Sequence, residues 1–204
     1  MPKLPGPSLP HDEFEKLGGD ARKIYQLVRD QLAKLSNALG KLRERSRIIA
    51  SMLDRVLKDL ESIVGRHMSI DILDLQKLVD DLSLLLELSK DLDVGTGILD
   101  YVAKSLEHDR ETLKRLTDFC RALNRELCSL TITIYAGRLT EKAFIVYLYI
   151  RYLNDIAIKT LEIMDKALEE LSNQLEASLQ KLEQISEQAK KKTEEKISRV
   201  PMHT

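Results

Sequence analysis

The sequence predicts an all-α protein: an elongated antiparallel bundle of about four helices with coiled-coil (heptad) packing and a long C-terminal helix. Three observations carry that reading. Charged residues make up 32% of the 204 positions while Gly is held to 8 and Trp is absent, a balance that suits long helices and lacks the turns a sheet fold needs. Apolar residues recur at alternating intervals of four and three, which keeps one stripe of a helix facing a partner. Four of the five prolines fall within the first ten residues, so the rest of the chain is nearly free of helix breakers.

Residues 1–19 read as a proline-rich flexible arm, 20–199 as a single helical bundle, and 200–204 as a tail. The first helix covers about 20–65. Its seam is Ala21, Tyr25, Val28, Leu32, Leu35, Leu39, Leu42, Ser46, Ile49, Leu53, Val56, Leu60 and Ile63, broken in polarity only at Ser46. Gly40 lies inside it at a cost of about 1 kcal/mol relative to Ala and marks a candidate bend. Gly65 ends this helix, and Ser69 reads as the N-cap of the second, with Met68 and Leu73 spaced as a hydrophobic staple. The second helix, about 69–93, is apolar on more than one face, which predicts a central position enclosed by neighbours.

The stretch 93–97 is a loop with two glycines, and Thr96 is a candidate N-cap. A third helix of about 97–136 follows, with the seam Leu99, Val102, Leu106, Asp109, Leu113, Leu116, Cys120, Leu123, Leu127, Leu130 and Ile134. Cys120 and Cys128, about 12 Å apart along that helix, cannot bridge there and read as reduced core residues. Residues 131–135 alternate as a strand would, so a helix end and a short extended piece are both open. Gly137 is the expected stop. Thr140 would then cap a fourth helix of about 140–198, with Leu139 and Phe144 as its staple. This helix is about 90 Å long against about 35 Å for the second, so it must overhang, fold back or meet another chain. Leu161, Leu168, Leu171, Leu175, Leu182 and Ile185 form its candidate partner-binding seam.

Little in the sequence points to chemistry. His11, His67, His108 and His203 have no metal-ligand spacing, and no Cys-x-x-Cys occurs. His108 and Glu111 reverse the Glu-x-x-His of di-iron bundles, but such a site needs several interior carboxylates, and Asp109 is the only acidic seam residue. Gly95-x-Gly97 reads as a turn. No catalytic residue, metal, cofactor or small-molecule substrate is expected. Asp109 and Asn154 interrupt apolar seams, where one buried polar group can fix register; Asn154 is the candidate register residue. Tyr135, Phe144, Tyr147, Tyr149 and Tyr152 either pack a bundle end or form an aromatic patch.

Net charge is −1, yet residues 20–67 carry eleven Lys or Arg against six Asp or Glu, and 70–94 carry two against seven. Either the basic first helix packs beside the acidic second, or Lys41, Arg43, Arg45 and Arg47 form a patch for an anionic surface. The longest apolar run, 144–150, is too short to span a bilayer, and the N-terminus lacks the apolar stretch of a secretory signal, so a cytoplasmic location is expected. The high Glu, Lys and Arg content suits a thermophile. The function expected is that of a non-enzymatic scaffold that assembles through its seams with itself or with a helical protein partner. The alternative is a polymer-forming protein that binds membrane or nucleic acid through its basic first helix. In that charge order the chain resembles membrane-remodelling filament proteins of the endosomal-sorting type. The resemblance is one of composition, covers no diagnostic motif and transfers no residue role; a capsid-type nucleoprotein fits equally well.

Overall fold

Among the described residues every regular element is a helix. The structure, a computed structural model, describes residues 11–66 and 69–198, with side chains at 18–66 and 69–192. Its helices are α1 (His11–Arg66), α2 (Ile72–Ser89) continued by a 3₁₀ turn (Lys90–Leu92), α3 (Ile98–Ala122) and α4 (Arg125–Ser198). No helix among the described residues is long and apolar enough to cross a membrane.

Several boundaries differ from the sequence reading, each for a local reason. The first ten residues, His67, Met68 and the last six residues lie outside the described part, but residues 11–19, read as arm, continue α1. α2 is capped by Asp71 rather than Ser69. The Asp71 backbone is extended and its side chain accepts from the Leu73 N–H at 3.2 Å, whereas the Ser69 hydroxyl donates back to the Arg66 carbonyl. At the start of α3 the cap is shared: Thr96 Oγ1 accepts from Ile98 N at 3.3 Å and Asp93 Oδ2 from Leu99 N at 2.9 Å. Gly95 and Gly97 hold φ of 87° and 66°, a conformation that side-chain-bearing residues avoid.

The largest correction is the α3–α4 junction. The chain breaks at Leu123, which is extended, and not at Gly137. Asn124 restarts it, its side-chain oxygen accepting from the Leu127 N–H at 2.9 Å. Gly137 and Thr140 are interior to α4, with the Thr140 hydroxyl donating to the Ala136 carbonyl at 2.8 Å, and 131–135 is helical. Because the break folds the chain back between them, Cys120 and Cys128 are disulfide-bonded, with Cα atoms 5.0 Å apart, and are not reduced core residues.

The chain divides into two compact units. The central unit, Lys41–Glu162, is a four-helix bundle with one apolar core. α1 contributes Ile49, Val56 and Ile63, α2 contributes Leu75, Leu78, Leu82 and Leu85, α3 contributes Leu106 and Leu113, and α4 contributes Leu139, Ala143 and Ile150. Each fully buried Leu or Ile is worth about 2–3 kcal/mol of transfer free energy. α2 is buried on the most sides, as its broad apolar face predicts. Its acidic residues meet basic neighbours on both flanks: Arg66 lies 2.6 Å from Asp74, Arg55 2.8 Å from Asp81, and Arg110 of α3 2.8 Å from Asp80. The Arg66–Asp74 and Arg110–Asp80 pairs sit at the surface, where each contributes about 1 kcal/mol or less and orients the helices more than it holds them, whereas the Asp81 carboxylate is buried.

The described residues of the terminal unit, those through Gly40 together with those from Ile163, form two helical segments, one from α1 and one from α4. They run antiparallel. Arg22 reaches Glu183 at 3.4 Å, and Arg29, Leu32 and Ser36 line a groove with Asp165, Leu168 and Ser172.

Candidate functional site

The terminal unit covers only one edge of each helix. On α1, Ala21, Tyr25 and Leu32 are half-buried and Leu39 is buried; on α4, Leu168, Leu175 and Leu179 are half-buried. The neighbouring edge is open. Ile24 and Leu27 are each 64% exposed and Leu35 50%, while Leu171 is 53% and Leu182 50% exposed. At about 100° per residue, the open edge stands on the same rotational side of the covered edge in both helices. Antiparallel helices built that way open onto one common side. The unit therefore carries an apolar strip that none of the described residues covers.

The predicted seam is split by this geometry. Leu161 is buried in the central unit, Leu168 and Leu175 face α1, and Leu171, Leu182 and Ile185 lie on the open edge. One stripe in the sequence is thus two edges with different neighbours.

The central unit holds the polar seam residues, and each finds a partner across helices. Asp109 of α3 is buried, and Lys142 of α4 donates to its Oδ2 at 2.5 Å and to Ser105 Oγ at 2.7 Å. The Tyr135 hydroxyl donates to Asp109 Oδ1 at 3.0 Å. Burial, and then the Asp109 charge, push the Tyr135 hydroxyl well above its usual range, so it stays a donor at neutral pH. These groups floor a groove of about 600 Å³ between α3 and α4, on whose rim His108 and Glu141 are exposed. Neutral hydrogen-bond donors and a closed ion pair leave no unengaged acid or base among Asp109, Lys142 and Tyr135. Asn154, 2% exposed, donates to the backbone carbonyl of Ser46, so the two seam irregularities on α4 and α1 meet at 3.2 Å. The Asn154 side-chain oxygen is buried without a partner.

Between α1 and α2, Asp59 and Asp81 face each other. Burial first, and the hydrogen-bonding contact with Asp59 second, raise the Asp81 carboxyl above the usual carboxylate range, against the Arg55 charge. Arg55 Nε lies 2.8 Å from Asp81 Oδ2 and opposes that rise. Asp93 shifts the other way. The Thr96 hydroxyl, then the Leu99 N–H, hold its carboxylate below the ordinary range, with Tyr149 donating at 3.0 Å.

The side chains of the basic cluster point to different surroundings. Lys41, Arg43 and Arg47 are exposed, whereas Arg45 is turned toward α2, donating to the Leu88 carbonyl at 2.9 Å and pairing with Asp91. The aromatic cluster is likewise divided: Tyr147 is buried with Phe144 stacked at 6.2 Å, Tyr149 ties the 93–97 loop to α4, and Tyr152 is exposed. Among the described residues no group of three or more His, Cys, Asp or Glu is placed to hold a metal ion.

No protein-family model, curated protein or solved structure matches this chain. Sequence reasoning missed Lys142 and the disulfide. Lys142 lies off the apolar seam, and its only signal was an antiparallel pairing of α3 with α4 that brings it level with Asp109.

Proposed function

We propose that this chain is a non-enzymatic assembly protein that pairs with a second copy of itself through the terminal two-helix unit. The observation that carries this reading is the open apolar edge shared by α1 and α4. Two helices alone bury little, and a second such unit laid on the open side makes a four-helix bundle. Eight large apolar side chains on that edge, from Ile24 to Ile185, are at least 36% exposed. Together they offer about 700 Å² per copy, close to the ~800 Å² per partner of a stable interface. The same patch serves both copies, so a twofold axis closes the pair.

Leu171 and Leu182 are the side chains to change, because each is half exposed within the chain and their loss leaves the fold alone. Each covers about 90 Å² on pairing, worth about 2 kcal/mol, and a twofold pair contains both twice. Leu171→Glu with Leu182→Glu should weaken this association by about a thousandfold or more in sedimentation equilibrium, with unchanged helicity. A variant that associates like the wild type removes the reading.

A further inference from the structure

We propose that the Cys120–Cys128 disulfide is a site of reversible thiol–disulfide exchange, and that a dithiol reductant acting on it releases the α3–α4 tip from a bundle that stays folded. This stands apart from the assembly reading and needs no second copy. The tip is residues 117–131, bounded by where the core ends. Leu116 of α3 and Ile132 of α4, each 8% exposed, are the nearest core residues on either side. Between them no side chain is buried, and Phe119, Leu127 and Leu130 are 49–53% exposed. Of the tip's apolar side chains, the half-buried Cys120 and Cys128 are the two that pack against the core. Arg121 meets Asp118 at 3.1 Å, Asn124 caps Leu127, and Thr131 donates to the Leu127 carbonyl. All three contacts lie within the tip, so they shape it without holding it to the bundle.

Residues 117–131 contain neither Gly nor Pro, so the reversal rests on the Asn124 cap and on the bond. Their magnitudes rank them. A side-chain cap shifts a helix equilibrium by roughly fivefold. Closing the loop between cysteines eight residues apart disfavours opening by roughly seventyfold. The bond also decides which backbone is allowed. A helix running straight through the turn would set the two Cα atoms about 12 Å apart, beyond the reach of a disulfide. With the bond intact they are 5.0 Å apart and the chain must turn.

Position and charge both suit exchange. Half-buried cysteines beyond the end of a core are open to attack as fully buried ones are not. Around them Lys114, Arg115, Arg121 and Arg125 outnumber Asp118 and Glu126. That excess of positive charge draws in an anionic thiolate and stabilises the cysteine thiolate that leaves. One thiolate of the reductant attacks one cysteine sulfur, the S–S bond breaks, and the other cysteine departs with the electron pair. The reductant's second thiolate then attacks the mixed disulfide. The dithiol ends as a cyclic disulfide, and the two cysteines, having gained two electrons and two protons, end as thiols. An oxidised dithiol runs the same steps backwards and closes the tip.

Hydrogen exchange of the full chain in dilute solution, with and without dithiothreitol, tests this. Under native conditions the reductant should free two thiols per chain while circular dichroism shows the helices retained. Amides of 117–131 should then exchange roughly seventyfold faster. They should not respond to low urea, because little surface opens, and should exchange well ahead of the Leu78, Leu82 and Leu85 amides. Oxidised dithiothreitol should restore the slow exchange.

Cys120→Ser with Cys128→Ser should match the reduced chain and be indifferent to the reductant. Thiols that appear only after the chain is unfolded overturn the exchange site. Tip exchange that stays within about threefold once two thiols are free overturns the release, because the bond then holds nothing. Tip and core amides that speed up together, with one urea dependence, overturn it too, because the bond then holds the whole unit. Two free thiols in the denatured chain before any reductant is added overturn both parts.

Discussion

Replacing Lys142 with Met should destabilise the central unit by about 2–3 kcal/mol. Lys142 lies 2.5 Å from Asp109, and their side chains are 34% and 11% exposed. Removing one partner of a fully buried pair costs about 3–5 kcal/mol, mainly because the other charge is left without compensation. The estimate is reduced because Lys142 is one-third open to water, which screens the pair. At about 2–4 °C per kcal/mol for a chain of this size, the midpoint should fall by roughly 5–10 °C. Asp109→Leu combined with Lys142→Met should return to within about 1 kcal/mol of the wild type, since no charge remains to be stranded. Tyr135 keeps a hydrogen bond in that variant through the Asp109 backbone carbonyl, 3.3 Å away, which any residue at 109 supplies. Urea titration followed by circular dichroism of the wild type, Lys142→Met, Asp109→Leu and the double variant closes the cycle, which should give a coupling of about 1–3 kcal/mol. A single Lys142→Met change within about 0.5 kcal/mol of the wild type, or a double variant as weak as the single, refutes the reasoning.

Asp81→Asn should flatten the pH dependence of stability. A carboxyl raised in the folded state stabilises fully below its unfolded value, about pH 4, and that contribution is lost as pH rises through the folded value. The wild type should therefore lose stability relative to Asp81→Asn between mildly acidic and neutral pH, and parallel urea midpoints across that range would contradict this. Reducing the Cys120–Cys128 disulfide should lower stability by about 2.5 kcal/mol from loop closure alone, and an unchanged midpoint with a reductant shown by thiol titration to have acted would count against the bond. Asn154→Leu should raise stability by about 1 kcal/mol, because it removes a buried oxygen without a partner. A fall of more than about 1 kcal/mol would show instead that the hydrogen bond to the Ser46 carbonyl dominates.

The helical class and the core seams of α1 and α3 were legible because apolar spacing records which stripe faces inward. Ile49, Val56, Leu106 and Leu113 are all buried as that spacing requires. The α3–α4 junction was not legible, because Leu123, Leu127 and Leu130 continue the seam across it. Periodicity counts faces and is blind to a reversal that preserves the count. Asn124, with its side chain ready to cap, was the available signal, and Gly137 outweighed it although glycine is tolerated inside a long helix. The disulfide followed from the same error, since eight residues of helix separate two cysteines that a turn brings together. Asn154 and Ser46 were each visible as polar interruptions, but their meeting depends on how α1 and α4 align, which neither helix alone specifies. The seam of the terminal unit was legible as apolar, yet the spacing did not show that α1 covers Leu168 and Leu175 while leaving Leu171 and Leu182 open. That division comes from the third dimension, in which a two-helix unit has one closed side and one open side.

The mass of the wild-type chain as a function of concentration tests the central claim most directly. Sedimentation equilibrium should show the average mass climbing from 23.3 kDa in dilute solution to twice that value. A constant mass of one chain up to high micromolar concentration would contradict it.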